Sequence, residues 1–425
     1  MNSGNFILKG ARIIDPLRKI DQKGDIGVRG GRIVDPGKVD NPRVVELDGK
    51  VLTPGFIDLH VHLRQPGNNM AETIASGTAA AAAGGFTSVV AMPNTNPPAD
   101  NAGAIEFLRQ TAAQKGVVRV LPCGCMTKNY AGEEMAGIGS LKAAGVVALS
   151  DDGRCIQDHA LMRHVVEYAK SFGLPILDHC EDKALAAGGV MHEGKWSVLL
   201  GMNGISGAAE ELMIARNIIL ARNIGWKIHM QHVSVKESVE LLRNARAKGI
   251  PVTGEATPHH LTLTDECIKK YDTNYKMNPP LRSEEDRQAL IAGVADGTIT
   301  AIATDHAPHT MTAKLVEFDY APFGIIGLET ALPLTYTELV AKGVIALPDL
   351  VSKFTTGPAD ILGIENYSLA EGNVADLTIF DPECRYRIDA SKFRSNSRNT
   401  PFDGWEVQCR VCGTMVGGKM VFEEL

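Results

Sequence analysis

Val51-Leu52-Thr53-Pro54-Gly55-Phe56-Ile57-Asp58-Leu59-His60-Val61-His62 is an apolar run that ends in two imidazoles. Side chains two apart on an extended strand share a face, so His60 and His62 project together from the strand end. That spacing suits two nitrogen ligands for one divalent cation. An isolated His-x-His is a weak motif, more often two neighbouring surface histidines than a chelate. The rest of the chain supplies the context that lifts it.

Short apolar runs recur at 55–63, 87–92, 117–123, 145–149, 175–179, 227–233, 250–255 and 299–304. Ala-rich or amphipathic stretches between them predict helices at 70–83, 102–115, 158–172, 207–223, 236–248 and 284–295, many stopped by glycine. This strand–helix alternation predicts an α/β fold with a parallel sheet, and eight units are what close a (β/α)8 barrel. A doubly wound open sheet is the alternative, but it gathers residues from distant strands less readily. The two ends read otherwise. Segments 5–15, 24–35, 373–381 and 407–422 look like short strands punctuated by Gly, Pro and Asp. The expected division is a catalytic barrel over 55–365 and a small β-sandwich domain built jointly from 1–54 and 366–425.

Composition narrows the function. The net charge of −7 is spread without a basic block, which argues against nucleic acid and anionic membrane as partners. No apolar run approaches the roughly 20 residues of a spanning helix, and Met1-Asn2-Ser3-Gly4-Asn5 lacks a leader pattern. Cys409-Arg410-Val411-Cys412 has no second pair to complete a four-sulfur zinc site. All eight cysteines read as reduced packing residues, and the chain as cytoplasmic.

Acidic and imidazole groups recur where the predicted strands end: Ser150-Asp151-Asp152-Gly153, Asp178-His179-Cys180-Glu181-Asp182, His229-Met230-Gln231-His232-Val233 and Thr304-Asp305-His306-Ala307-Pro308-His309. In a barrel these ends meet at one mouth, so His60, His62, His179, His232 and the aspartates are expected to form a metal centre. Strand parity admits only one of Asp151 and Asp152, and one of His229 and His232, without saying which. Arg64, two residues past His62, is placed to grip a substrate carboxylate through paired hydrogen bonds. His159, His164 and His192 are expected to face solvent, and His259-His260 to make structural hydrogen bonds.

The segments Asp58-Leu59-His60-Val61-His62-Leu63-Arg64, Met92-Pro93-Asn94-Thr95, Ser150-Asp151-Asp152-Gly153, His179-Cys180-Glu181-Asp182, Tyr275-Lys276-Met277-Asn278-Pro279-Pro280-Leu281-Arg282, Asp305-His306-Ala307-Pro308-His309 and Ala321-Pro322-Phe323-Gly324-Ile325 resemble, in order, class I bacterial dihydroorotases of the amidohydrolase superfamily. The resemblance implies two zinc ions: His60, His62 and Asp305 on one, His179 and His232 on the other, with Asp152 and a hydroxide bridging them. The departing ring nitrogen needs a proton, so a carboxylate beside the hydroxide should accept one and pass it on, a shuttle that Asp305 fits as the catalytic residue; its neighbour His306 is expected to point away from the metals. Asn94, Asn278 and His309 would join Arg64 in gripping the substrate carboxylate, the Phe323-Gly324 backbone would pair with the ring's amide edge, and His62 would also contact substrate. The implied reaction is the reversible hydrolysis of (S)-dihydroorotate to N-carbamoyl-L-aspartate in pyrimidine (UMP) synthesis.

Related hydantoinases, dihydropyrimidinases and allantoinases bridge their metals with a carboxylated lysine. Ala148-Leu149-Ser150-Asp151-Asp152 contains none, which favours dihydroorotase over another cyclic amide hydrolase. A silent subunit that scaffolds aspartate transcarbamoylase is the other alternative, although silent relatives lose metal ligands that this chain keeps. The resemblance leaves open a homo-oligomer and an aspartate transcarbamoylase partner. Two departures stand out. Thr312-Ala313-Lys314 replaces a usual Glu-Lys pair, so loop 310–322 is expected to be ordered differently. Gly357 replaces a usual Asn, read as a capping change.

Overall fold

Phe56–Val61, Phe86–Ala91, Arg119–Gly124, Ala148–Leu149, Ile176–Asp178, Ile228–Met230, Val252–Ala256 and Ala301–Ile302 are the eight strands of one sheet, paired in parallel in chain order. The computed structural model describes residues 4–425. Residues 1–3, on which part of the leader expectation rests, lie outside the described residues. All eight predicted strands form, five of them shortened at one or both ends and three shifted by one or two residues. The sheet closes on itself: Val61 bridges His306 in parallel, and the His62 N–H donates to the His306 carbonyl at 2.9 Å. An open doubly wound sheet would leave that edge free. The chain is therefore a (β/α)8 barrel.

Its interior is packed, not hollow. Ile57 and Leu59 meet Val90, Cys123, Ala148, Leu177 and Ala301 from other strands, all buried. Burying each Ile, Leu or Val among them stabilises by about 1.5–3 kcal/mol. The crossover helices lie outside, and several start on the signals the sequence carries. Ala102–Lys115 is capped by Asn101, whose Oδ1 accepts the Ala104 N–H at 3.1 Å. Glu284–Ala295 begins with a reciprocal Ser283–Asp286 cap.

The two ends of the chain form a second sheet. Phe6–Asp15, Ile20–Arg29, Arg32–Val34, Arg43–Glu46 and Val51–Pro54 join Leu377–Arg387, Glu406–Val416 and Lys419–Glu423. Val51–Pro54 is the seam, pairing with Phe6–Asp15 on one side and Leu377–Arg387 on the other. This β-sandwich layer has its own core around Leu8, Leu52, Ile379 and Met415. Gly55 passes the chain from it into the barrel. A Cβ there would sit 2.1 Å from Thr87 Oγ1, so only glycine fits the junction.

The sequence patterns missed the short elements. A two-stranded excursion, Met191–His192 with Gly204–Ile205, carries the helix Lys195–Leu200 between its strands. Leu347–Phe354 and Thr356–Leu362 complete the ring of helices. Gly357 is not a capping position. It lies inside Thr356–Leu362, where a Cβ would meet the Thr300 carbonyl oxygen at 2.1 Å. Close helix–strand approach explains the glycine.

Candidate metal centre

The proposed ligands all lie at or just past the carboxyl ends of barrel strands. His60 and His62 close the first strand, whose register against the second slips between Asp58 and Val61. Asp58, fully buried, accepts the His60 N–H at 3.0 Å and the Thr304 N–H at 3.1 Å, tying the first strand end to the eighth. Beyond the strands the backbone leaves the extended region. Arg64, His232 and Asp305 adopt φ of 56°, 34° and 47°. Each non-glycine residue held there costs about 1–3 kcal/mol, and such strain concentrates at functional sites.

Strand parity failed to choose within two pairs because the chosen residues are not on strands. Asp152 turns into the mouth, while Asp151 turns back. The Asp151 carboxylate accepts the Met126 N–H at 2.8 Å, the Thr127 N–H at 3.3 Å and the Thr127 hydroxyl. His232 reaches the mouth from its left-handed turn. His229 stays on the sixth strand, between Thr253 Oγ1 at 2.8 Å and Glu255 Oε2 at 2.9 Å.

The structure brings the six candidates together. His60, His62 and Asp305 place one donor atom each within 4.8 Å of one another, and so do His60, Asp152 and His232. His60 Nε2 is 3.2 Å from Asp152 Oδ1 and 3.5 Å from Asp305 Oδ1. His62 Nε2 is 3.0 Å from Asp305 Oδ1 and 3.4 Å from Asp152 Oδ2. His179 enters neither triad, but its Nδ1 lies 2.8 Å from His232 Nε2 and 3.5 Å from Asp152 Oδ1. Burial raises the Asp152 and Asp305 carboxyls; the facing imidazoles, His60 foremost, outweigh it and hold both below the ordinary carboxylate range. His60 Nε2, His179 Nε2 and His232 Nδ1 are buried with no hydrogen-bond partner. Buried imidazole nitrogens around two carboxylates are a donor set that suits a divalent metal ion, so these residues fit one.

A cavity of ≈ 250 Å³ opens above them. All seven proposed substrate contacts line it: His62, Arg64, Asn94, Asn278, His309, Phe323 and Gly324. So do Asp152, His179 and Asp305, with His60 and His232 deeper. Asn94 Oδ1 holds His62 Nδ1 at 2.9 Å. Arg64 Nε donates to the Pro308 carbonyl at 3.2 Å, and Nη2 lies 3.5 Å from His309 Nε2. Burial, then the positive charge of Arg64, pushes the His309 imidazole down to about 3, so it is neutral. Its Nε2 pairs with the Phe323 carbonyl at 2.8 Å. The Gly324 N–H donates to the Lys276 carbonyl at 2.9 Å.

Three acidic residues escaped the sequence reading because their partners are remote in the chain. Glu181 Oε2 accepts the Asn278 Nδ2 at 2.9 Å, so the free group of Asn278 is its partnerless acceptor, Oδ1. Glu255 touches His60 and His229. Glu72 lies 3.2 Å from His306 Nε2 and turns that ring away from the centre, as expected. Other histidines sort more simply. His159 and His164 are exposed, whereas His192 is half-buried against Arg282 at 3.2 Å rather than facing solvent. His260 bonds Thr257 Oγ1 and the Pro279 carbonyl.

Loop 310–322 is fastened from beneath by two amines. Lys314 Nζ donates to the carbonyls of Pro322 at 2.8 Å, Thr273 at 2.9 Å and Lys276 at 3.3 Å. Lys276 Nζ donates to those of Phe318 at 2.7 Å and Asp319 at 3.0 Å. Lys314, within the segment that departs from the family pattern, thus anchors the loop beside the cavity.

Comparison with known proteins places this architecture. Residues 49–238 match a family model described as dihydro-orotase-like. A dihydroorotase of Pelotomaculum thermopropionicum is 49% identical over 423 residues, covering 99% of each chain. One from Endomicrobium trichonymphae is 49% identical over 417 residues, covering 98% of this chain and 99% of its own. Among solved structures, an L-hydantoinase (dihydropyrimidinase) from Arthrobacter aurescens superposes with a TM-score of 0.89 at 27% identity, covering 100% of this chain and 97% of that one. A dihydropyrimidinase from Brevibacillus agri, at 23% identity and a TM-score of 0.85, covers 99% of this chain and 95% of its own and shares the fold. With near-complete coverage at almost half identity, the chain belongs to the dihydroorotase family.

Proposed function

We propose that this protein is a zinc-dependent dihydroorotase that interconverts (S)-dihydroorotate and N-carbamoyl-L-aspartate in pyrimidine synthesis. One observation carries the reading: two overlapping imidazole–carboxylate donor sets lie beneath a small cavity whose wall carries Arg64. His60, His62 and Asp305 would hold one cation, His179 and His232 a second, with Asp152 between them. Cations bound there would polarise the amide carbonyl and lower the pKa of water.

The chain's own residues do the rest. Arg64 orients the ring by its carboxylate, and Asn94, whose Oδ1 is taken by His62, turns its amide nitrogen to the same group. Asn278 offers an acceptor, so it reads a ring N–H instead of joining the carboxylate grip. Asp305 takes the proton of the attacking water as the C–O bond forms. It returns that proton to the ring nitrogen as the C–N bond breaks. Asp305 also lies 3.0 Å from His62 Nε2.

The cytoplasm as the place of work is supported by eight cysteines that are all free. No helix among the described residues is long and apolar enough to cross a membrane. The terminal sheet's own core supports a division into 1–54 with 366–425 and 55–365, with Ile14, Val51 and Phe380 packing across the boundary into the barrel's main core. Association with further copies or with aspartate transcarbamoylase is a separate expectation, which gel filtration of the mixed proteins tests. The function itself is tested by turnover of dihydroorotate, hydantoin and dihydrouracil with metal analysis alongside. Dihydroorotate should be preferred by orders of magnitude, with metal bound. Comparable turnover of the uncharged rings would overturn the substrate assignment, and a metal-free active protein the mechanism.

A further inference from the structure

Glu255, on the seventh barrel strand, is fully buried, yet it faces no lysine or arginine. Its Oε1 lies 3.0 Å from His60 Nδ1 and accepts the His232 N–H at 3.3 Å. Its Oε2 lies 2.9 Å from His229 Nε2, and His229 Nδ1 lies 2.8 Å from Thr253 Oγ1. One carboxylate therefore touches two proposed ligands that arrive from the first and sixth strands.

We propose that Glu255 is a positioning residue for the metal centre: it keeps His60 as the Nδ1–H tautomer, which leaves Nε2 as the nitrogen offered to a cation. The inference rests on the reading of His60 as a metal ligand. Its logic is proton accounting. A neutral imidazole carries one N–H, and a carboxylate only accepts, so the proton must sit on the nitrogen that faces Glu255. The other nitrogen, His60 Nε2, then bears the lone pair, and it has no hydrogen-bond partner. Gln231 Nε2 lies 3.1 Å from the same Nδ1 and competes for it. A charge-assisted bond is roughly twice as strong as a neutral one, so the carboxylate wins. His229 meets the second carboxylate oxygen with its own Nε2–H and accepts the Thr253 hydroxyl at Nδ1. The relay thereby extends to a residue the mechanism does not otherwise use. The bond from the His232 N–H adds a second task, because it pins the turn at which His232 adopts a φ of 34°.

Two measurements test this. In the wild-type protein labelled with ¹⁵N-histidine, the His60 signal, assigned by its loss in His60→Asn, should show a protonated Nδ1 and an unprotonated, zinc-shifted Nε2. A protonated Nε2 overturns the proposal whether or not any variant folds. Glu255→Gln keeps the shape but removes the charge. It should lower zinc affinity by roughly 10–100-fold in competition with a chromogenic chelator, and saturating zinc should restore most of the activity. Unchanged affinity in a folded Glu255→Gln protein also overturns it. If the wild-type protein itself takes up no zinc, the metal reading fails, and the role of Glu255, which rests on it, falls with it; unchanged affinity in Glu255→Gln beside a zinc-binding wild type sinks the role of Glu255 alone.

Discussion

Replacing Arg64 with methionine separates recognition of charge from chemistry. The side chain lies between Asp305, Asp152 and the loop after the eighth strand, and burial pulls its pKa below the usual guanidinium value. Nε is held by the Pro308 carbonyl at 3.2 Å, so the guanidinium plane is fixed before substrate arrives. Methionine keeps much of the volume and removes the donors. A carboxylate brought into the cavity then loses a charge-assisted pair and stays desolvated, at a cost of about 3 kcal/mol. That corresponds to a loss of roughly 150-fold in kcat/KM for dihydroorotate. Dihydrouracil, which lacks the carboxylate, should change by less than about threefold, since none of that energy applies to it. Arg64→Lys should recover only part, because an ammonium does not match the two oxygens of a carboxylate. Steady-state kinetics on both rings, with zinc content measured in each variant, decides the matter. Equal losses on the charged and uncharged rings, at unchanged zinc content, would refute the assignment.

Lys314→Met should free loop 310–322 by removing about 1–2 kcal/mol of local order; KM is expected to rise roughly tenfold and protease cleavage to appear within the loop, and an unchanged cleavage pattern would contradict the anchoring role. Gly357→Ala should destabilise the barrel by about 2 kcal/mol in chemical unfolding, because its Cβ cannot coexist with the Thr300 carbonyl 2.1 Å away. Glu329, which accepts the Arg394 and Ser395 N–H groups, is raised by burial to about 7. The native state then holds a proton that the unfolded state has lost, so stability falls as pH rises from about 4.5 to about 7. Glu329→Gln should flatten that part of the stability profile, and an identical slope in both proteins would exclude Glu329 as its source.

The sequence by itself determined the architecture and most of the chemistry-bearing positions. Strand–helix alternation is a local signal, written in apolar runs and glycine stops, so all eight barrel strands and helices such as Ala102–Lys115 were legible. So was the β character of both chain ends. The His-x-His spacing and the acidic strand ends pointed to one mouth because a closed parallel barrel leaves them nowhere else to converge. Short elements such as Lys195–Leu200 and Thr356–Leu362 carry too few residues for a periodic pattern and were missed. Choosing Asp152 over Asp151 and His232 over His229 needed either a resemblance or coordinates. Parity governs extended backbone, and these residues lie just past the strands, His232 in a left-handed turn. Only the tertiary structure showed that Asn278 presents an acceptor, that Lys314 anchors the loop, and that Glu255 stands behind His60 from 195 positions away. Such pairings are set by which strand ends the closed barrel makes neighbours, and no local pattern in the chain encodes that.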